Sequence, residues 1–190
     1  TLRQRALAPG PAFAAPQRGV VVAAGGDEGE QFAPGDRGAV DVKGFDFDRV
    51  ARMGARDVER LLGNAGIVRH RGKIESTINN AKRARELAAE CGSLAAYFWR
   101  WEPAPASRPG KLTRDVLMAM ATTPESMALA KDLKRRGFTF VGPTTVYAFM
   151  QAMGLVNDHL HDCATRKAVD LARARFVRSS ARPAGIRNTP

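Results

Sequence analysis

Residues 134–163 read KRRGFTFVGPTTVYAFMQAMGLVNDHLHDC, and this stretch decides the fold. Its basic opening ends at Gly137, a second break follows at Gly142-Pro143, and Val146, Phe149, Met150 and Met153 then recur at helical spacing until Gly154. Glycine takes the left-handed conformation that stops a helix, and proline fits the first helical position. Just upstream, Thr123-Pro124-Glu125 has the form of a helix start, and Ala128, Leu129 and Leu133 supply an apolar stripe. A helix is therefore predicted over 124–136 and a second one after Pro143. The Phe138–Val141 link between them is too short for an independent strand, so the order is helix, hairpin, helix.

A glycine-bearing hairpin that opens a helix exposes main-chain N–H groups, and these suit an anion such as a phosphate at the positive end of the helix dipole. Gly137, Gly142, Thr144 and Thr145 are the candidate contacts to a nucleic-acid backbone. The competing reading is an ordinary connection between packed helices. Near the end of the stretch, His159 and Cys163 are spaced four apart, so one helical face could offer an imidazole nitrogen and a thiolate to a metal. A structural zinc normally takes four protein ligands. Only two are in view: His161 points elsewhere on such a helix, Cys91 and His70 lack suitable spacing, and Asp27, Glu28 and Glu30 are unorthodox substitutes.

The middle of the chain is predicted helical throughout. Asp46 or Asp48 caps a short helix ended by Gly54; Val58, Leu61 and Leu62 stripe the next, ended by Gly66; Ile74, Ile78, Ala81 and Leu87 stripe a longer one closed by Gly92. Ser93 opens an aromatic helix carrying Tyr97, Phe98, Trp99 and Trp101, and the proline-rich residues 102–110 form a loop. Trp99 reads as a core residue rather than a stacking platform, and His70, between two arginines, as part of a basic face that could meet phosphate.

The formal net charge of +11, from 30 Lys and Arg against 19 Asp and Glu, attracts polyanions and speeds encounter with them. The competing reading of the charge is a GC-rich genome whose codons favour Arg over Lys. The wholly apolar runs, Val20 to Ala24 among them, are far short of the ~20 residues a membrane span needs, and no signal-peptide pattern is visible. Two cysteines without a pairing framework point to a reducing, cytoplasmic setting.

Three segments carry a resemblance: GFTFVGPTTVYAFMQAMGLVNDH, AGIVRHRGKIESTINNAK at 65–82 and FDFDRVARM at 45–53. Together they resemble the DNA-3-methyladenine glycosylase I family from Phe45 to about Cys163. The resemblance implies an all-α, helix–hairpin–helix glycosylase-like bundle. It also implies a base-excision enzyme that hydrolyses the N-glycosidic bond of 3-methyladenine in alkylated double-stranded DNA, expected as a monomer. It implies a zinc held by two Cys and two His, of which His159 and Cys163 would be the C-terminal half.

The N-terminal quarter departs from that family. Relatives place there the first Cys and His ligands, base-pocket tyrosines and tryptophans, and a Glu that contacts the base. Here residues 1–43 hold no Cys, His, Trp or Tyr, and Phe13 and Phe32 are the only aromatics. No catalytic residue is assignable, zinc binding is expected to be weakened, and the quarter is expected either to be read in another frame upstream of about Gly44 or to have lost its function. The alternative reading is a DNA-binding remnant without excision activity. The division expected is an irregular segment 1–44, a helical domain 45–163, and a basic, mostly disordered tail 164–190.

Overall fold

A computed structural model describes residues 43–178 of the chain. The expected irregularity of residues 1–42 and the disorder of 179–190 lie outside the described residues. Within them every regular element is helical, as the all-α reading requires: α1 (Phe47–Val50), α2 (Ala55–Leu62), α3 (Arg71–Cys91), α4 (Leu94–Phe98), α5 (Arg114–Ala119), α6 (Pro124–Arg135), α7 (Pro143–Ala152) and α8 (Ala164–Arg175), with short 3-10 turns at Lys43–Phe45, Trp99–Trp101 and Pro105–Ser107. None of these helices is long and apolar enough to cross a membrane.

Helix α3 organises the packing because its 21 residues, roughly 32 Å of helix, reach two apolar clusters. Its first half gives Ile74, Ile78 and Ala81 to a small core with Val50, Met53, Val58 and Leu61 of α1, α2 and their link. Its second half gives Ala84, Leu87 and Cys91 to the main core with Tyr97 and Phe98 of α4, Leu129 and Leu133 of α6, and Val146 and Met150 of α7. Short helices such as α4 are marginal alone and depend on this burial. The stop at Gly92 falls where the sequence places it, with φ at +82°.

Several boundaries differ from the sequence reading, each for a local reason. Gly54 opens α2 instead of ending α1: its N–H donates to Asp57 Oδ2 at 3.1 Å. Gly63 closes α2 ahead of Gly66, donating to the Glu59 carbonyl at 3.2 Å. Within the tail read as mostly disordered, residues 164–175, whose Ala168–Ala174 run has some helical tendency, form α8. Beyond it Phe176 packs on Trp99 with ring centroids 4.8 Å apart, and Arg173 Nη2 reaches Glu102 Oε1 at 2.7 Å, so the tail has a docking place on the half-buried α4 end. Trp99 is accordingly a packing residue.

A polar tie joins α4 to α6. Tyr97 Oη donates to Asp132 Oδ2 at 2.7 Å, and Arg136 Nε donates to the same oxygen at 2.7 Å while its guanidinium lies 5.2 Å above the Tyr97 ring. Burial pushes the Asp132 carboxyl up, but hydrogen bonds from Tyr97, Arg136 and Arg135 outweigh it and bring the pKa from 3.8 down to about 2. A carboxylate whose folded pKa is depressed contributes stability above its unfolded value and loses it as pH falls through the folded one. The stability gap between the parent protein and Asp132→Asn should thus be full above about pH 4 and close as pH approaches 2; urea melts across that range measure it, and a constant gap would contradict the assignment.

Candidate nucleic-acid interface

The hairpin at 137–142 is built by two opposed demands. Its apolar residues Phe138 and Val141 are buried in the main core, which pulls both arms inward. Gly137, at φ +82°, turns the chain out of α6, with its N–H on the Lys134 carbonyl at 2.9 Å and the Phe138 N–H on the Leu133 carbonyl at 3.0 Å. A side chain at Gly137 would be strained by that φ and would stand 3.3 Å from Arg83 Cδ.

The position of the hairpin is set from α3. Asn80, 2% exposed, accepts from the Thr139 N–H through Oδ1 at 2.9 Å and donates from Nδ2 to the Thr139 carbonyl at 2.9 Å. Ser76 Oγ donates to the same carbonyl at 3.2 Å and accepts from Thr139 Oγ1 at 2.8 Å, while Asn79 Nδ2 donates to the Gly137 carbonyl at 2.8 Å. These three residues were not singled out by sequence reasoning. Their signal is polar side chains, Ser76 and Asn80 spaced four apart, in line with Ala84, Leu87 and Cys91 further along the same helix, where an apolar residue is the default.

Gly142 caps α7 without a side-chain hydrogen bond, and Pro143 occupies the first turn. The N–H groups of Thr144 and Thr145 fall in that turn, where helical amides have no partner within the helix. An added Cβ at Gly142 would meet nothing within 4 Å, so glycine there keeps the approach to these amides open rather than answering a backbone need. The structure thus brings Gly137, Gly142, Thr144 and Thr145 together on one hairpin and the helix start that follows it.

The charge beside the hairpin is divided. Arg136 is occupied by Asp132 and by Glu90 Oε2 at 2.7 Å, and Arg135 pairs with Asp132, so the arginines at the end of α6 brace the fold. Lys131 and Lys134 are exposed and join no ion pair among the described residues, so they are the free cations of this helix.

His159 and Cys163 lie beyond the other end of α7, and here the helical expectation is corrected. They sit on a turn, with the Cys163 N–H donating to the Leu160 carbonyl at 3.0 Å, and α8 begins only after Cys163. His161, likewise off any helix, donates its N–H to the Leu112 carbonyl at 2.9 Å. The turn nonetheless brings His159 Nδ1 and Cys163 Sγ to 3.6 Å. That matches one edge of a tetrahedral zinc site, roughly 3.5 Å from ordinary Zn–S and Zn–N lengths. The rest of a four-ligand Cys and His set does not fit this chain: the other cysteine, Cys91, is buried on the main core with Arg100 Nη2 at 3.4 Å, and residues 1–42 contain neither Cys nor His. Among the described residues no cluster of three His, Cys, Asp or Glu could hold a metal.

The sequence profile of a family described as methyladenine glycosylase matches residues 39–167. Over 123 residues the chain is 42% identical to the DNA-3-methyladenine glycosylase of Haemophilus influenzae, and over 120 residues 43% identical to DNA-3-methyladenine glycosylase 1 of Escherichia coli. Each alignment covers 63% of this chain and 63% of the relative, so the chain spans less than two thirds of either relative's length. A solved structure of 3-methyladenine DNA glycosylase I from Staphylococcus aureus superposes with a TM-score of 0.61 at 30% identity, covering 67% of each chain.

Replacing Asn80 with Ala leaves the Thr139 N–H without its buried acceptor, so a loss of about 1–3 kcal/mol is expected in denaturant unfolding. Faster hydrogen exchange of the Thr139 amide should accompany it; unchanged protection would show that Asn80 does not hold the hairpin.

Proposed function

The chain belongs to the methyladenine glycosylase family, and from that premise we propose that it grips alkylated double-stranded DNA through the hairpin and hydrolyses the N-glycosidic bond of 3-methyladenine. The observation that carries the DNA-binding part is the pinned hairpin: Asn80 fixes Thr139, Gly142 leaves the first turn of α7 uncapped, and the amides of Thr144 and Thr145 are available to a phosphate oxygen. Such amides position a duplex without reading its sequence. Lys131 and Lys134 add a diffuse attraction that salt weakens.

The excision chemistry asks little of a nucleophile. Methylation at N3 makes the adenine cationic and weakens its bond to the sugar, so a pocket that extrudes the nucleotide and stacks the base selects the lesion by binding. Flipping costs a few kcal/mol, and less for a damaged base. No described residue is assigned to that pocket or to a catalytic role.

A second reading is favoured by one specific observation, the absence of Tyr, Trp, His and Cys from residues 1–43. On that reading the protein binds the backbone and excises nothing. Release of free 3-methyladenine from methylated duplex DNA, measured beside salt-dependent binding to the same duplex, separates the two. Release with binding supports the glycosylase; binding without release supports the remnant; absence of both overturns the DNA reading itself.

The His159 and Cys163 pair offers two donors to zinc, which would serve a structural role there. We infer that this chain alone holds the ion weakly, since two of the usual four protein ligands are in place. Competition with a chromogenic chelator should strip zinc readily, with Cys163→Ser abolishing what binding there is; a stoichiometric ion resistant to the chelator would overturn this.

A further inference from the structure

Phe140 stands out against every other residue of the hairpin. It lies between Thr139, which Asn80 pins, and Val141, which is 1% exposed, yet its own ring is 48% exposed. Its φ is +55°, in the left-handed region that a bulky side chain rarely adopts and that glycine or asparagine takes at less cost. Neither the core nor the backbone therefore explains a phenylalanine here. A water-facing ring on a strained residue is a cost to the fold with no return inside it.

The ring has one neighbour that gives it a direction. His70, at the start of α3, meets it edge-on, with centroids 6.5 Å apart and planes at 76°. Gly72 makes room for the pair: a Cβ there would stand 3.2 Å from His70 Cε1 and 3.7 Å from Phe140 Cζ. His70 is itself fixed, because its Nδ1 accepts the Lys73 N–H at 3.2 Å and caps α3. In the neutral ring that bond puts the proton on Nε2, which becomes a donor. Two helix starts, those of α3 and α7, thus converge on Phe140. The exposed Arg69 beside His70 joins no ion pair among the described residues, whereas Arg71 is engaged with Glu59 at 2.8 Å.

We propose that Phe140 and His70 form a nucleotide seat. The Phe140 ring packs against a deoxyribose of the strand held by the hairpin amides, and His70 Nε2–H donates to the adjoining phosphate. The occupant is the sugar–phosphate edge of duplex DNA: an apolar ring face suits the sugar, a fixed N–H donor suits the phosphate oxygen, and the seat is continuous with the hairpin. The inference rests on the DNA-binding reading above and extends the contact surface from one helix start to two.

The test is fluorescence anisotropy of a labelled duplex over a salt series, with thermal melting of each protein. Phe140→Asn, which tolerates the left-handed backbone, should melt no lower than the parent protein and bind about tenfold more weakly, with an unchanged slope of log affinity against log salt, because an apolar contact has been removed. Gly72→Ala should also weaken binding by crowding the two rings. Lys134→Ala, by contrast, should lower the salt slope by about one. Parent-like affinity in Phe140→Asn, with the parent showing salt-dependent binding, overturns the seat and leaves the DNA reading standing; no binding by the parent protein overturns both. Should Phe140→Asn melt early, Phe140→Ala decides, parent-like affinity again refuting the seat.

Discussion

The buried side-chain amide of Asn80 is the constraint on which the rest depends. An unpaired amide in that position would cost more than a formed hydrogen bond nets, and both of its polar atoms bond one residue, Thr139, 59 positions away. The bonds define a register more than they add stability: they allow one placement of the hairpin on α3. A hairpin already placed before it meets a phosphate avoids the entropy of ordering at that moment, and this makes a few main-chain amides sufficient as a docking device.

The same economy governs the charges. Every ion pair described among residues 43–178 uses an arginine, including the Arg136 links to Glu90 and Asp132 and the Arg173 link to Glu102. No lysine takes part in one. The planar guanidinium makes several directed bonds at once, whereas a lysine ammonium is a hydrated point charge on a flexible stem. The net charge of +11 is therefore not a single field: much of the arginine is committed to bracing helices, while Lys131 and Lys134 beside the hairpin are exposed and outside any ion pair among the described residues.

Local signals in the sequence suffice for α3, α6, α7 and the hairpin, because Gly92, Gly137 and Gly154 mark stops with a positive φ that few other residues favour, whereas α5 has no such signal. The apolar stripe of α3 was legible for the same reason, since its period is intrinsic to one segment. The bonds from Ser76, Asn79 and Asn80 were not, because their meaning comes from a partner some sixty residues distant. Helix α8 carries only a weak helical tendency of its own, and its docking contacts, from Phe176 to Trp99 and from Arg173 to Glu102, are distant in sequence and absent from any local pattern. Arg135 and Arg136 illustrate the converse: sequence counts them as free cations of a helix end, and the fold consumes them.

The turn at His159 shows how a metal-like geometry can arise from packing alone. Asp158 just before it is held by Tyr147 Oη at 2.6 Å, by Gln151 Nε2 at 2.8 Å and by Arg108, so α7 and the proline-rich loop fix one side. Burial and the Asp158 hydrogen bond both push the Tyr147 hydroxyl up, keeping it protonated and able to donate. On the other side, Arg166 of α8 donates to the His159 carbonyl at 2.6 Å, and Asn157 Nδ2 bonds the Arg166 carbonyl and Asp170 Oδ1 at 3.0 and 2.7 Å. With both flanks tied, the approach of His159 to Cys163 follows from hydrogen bonds within the chain. Preorganisation does not replace missing donors: the two groups span one edge of a tetrahedron and leave its other corners to ligands outside the pair.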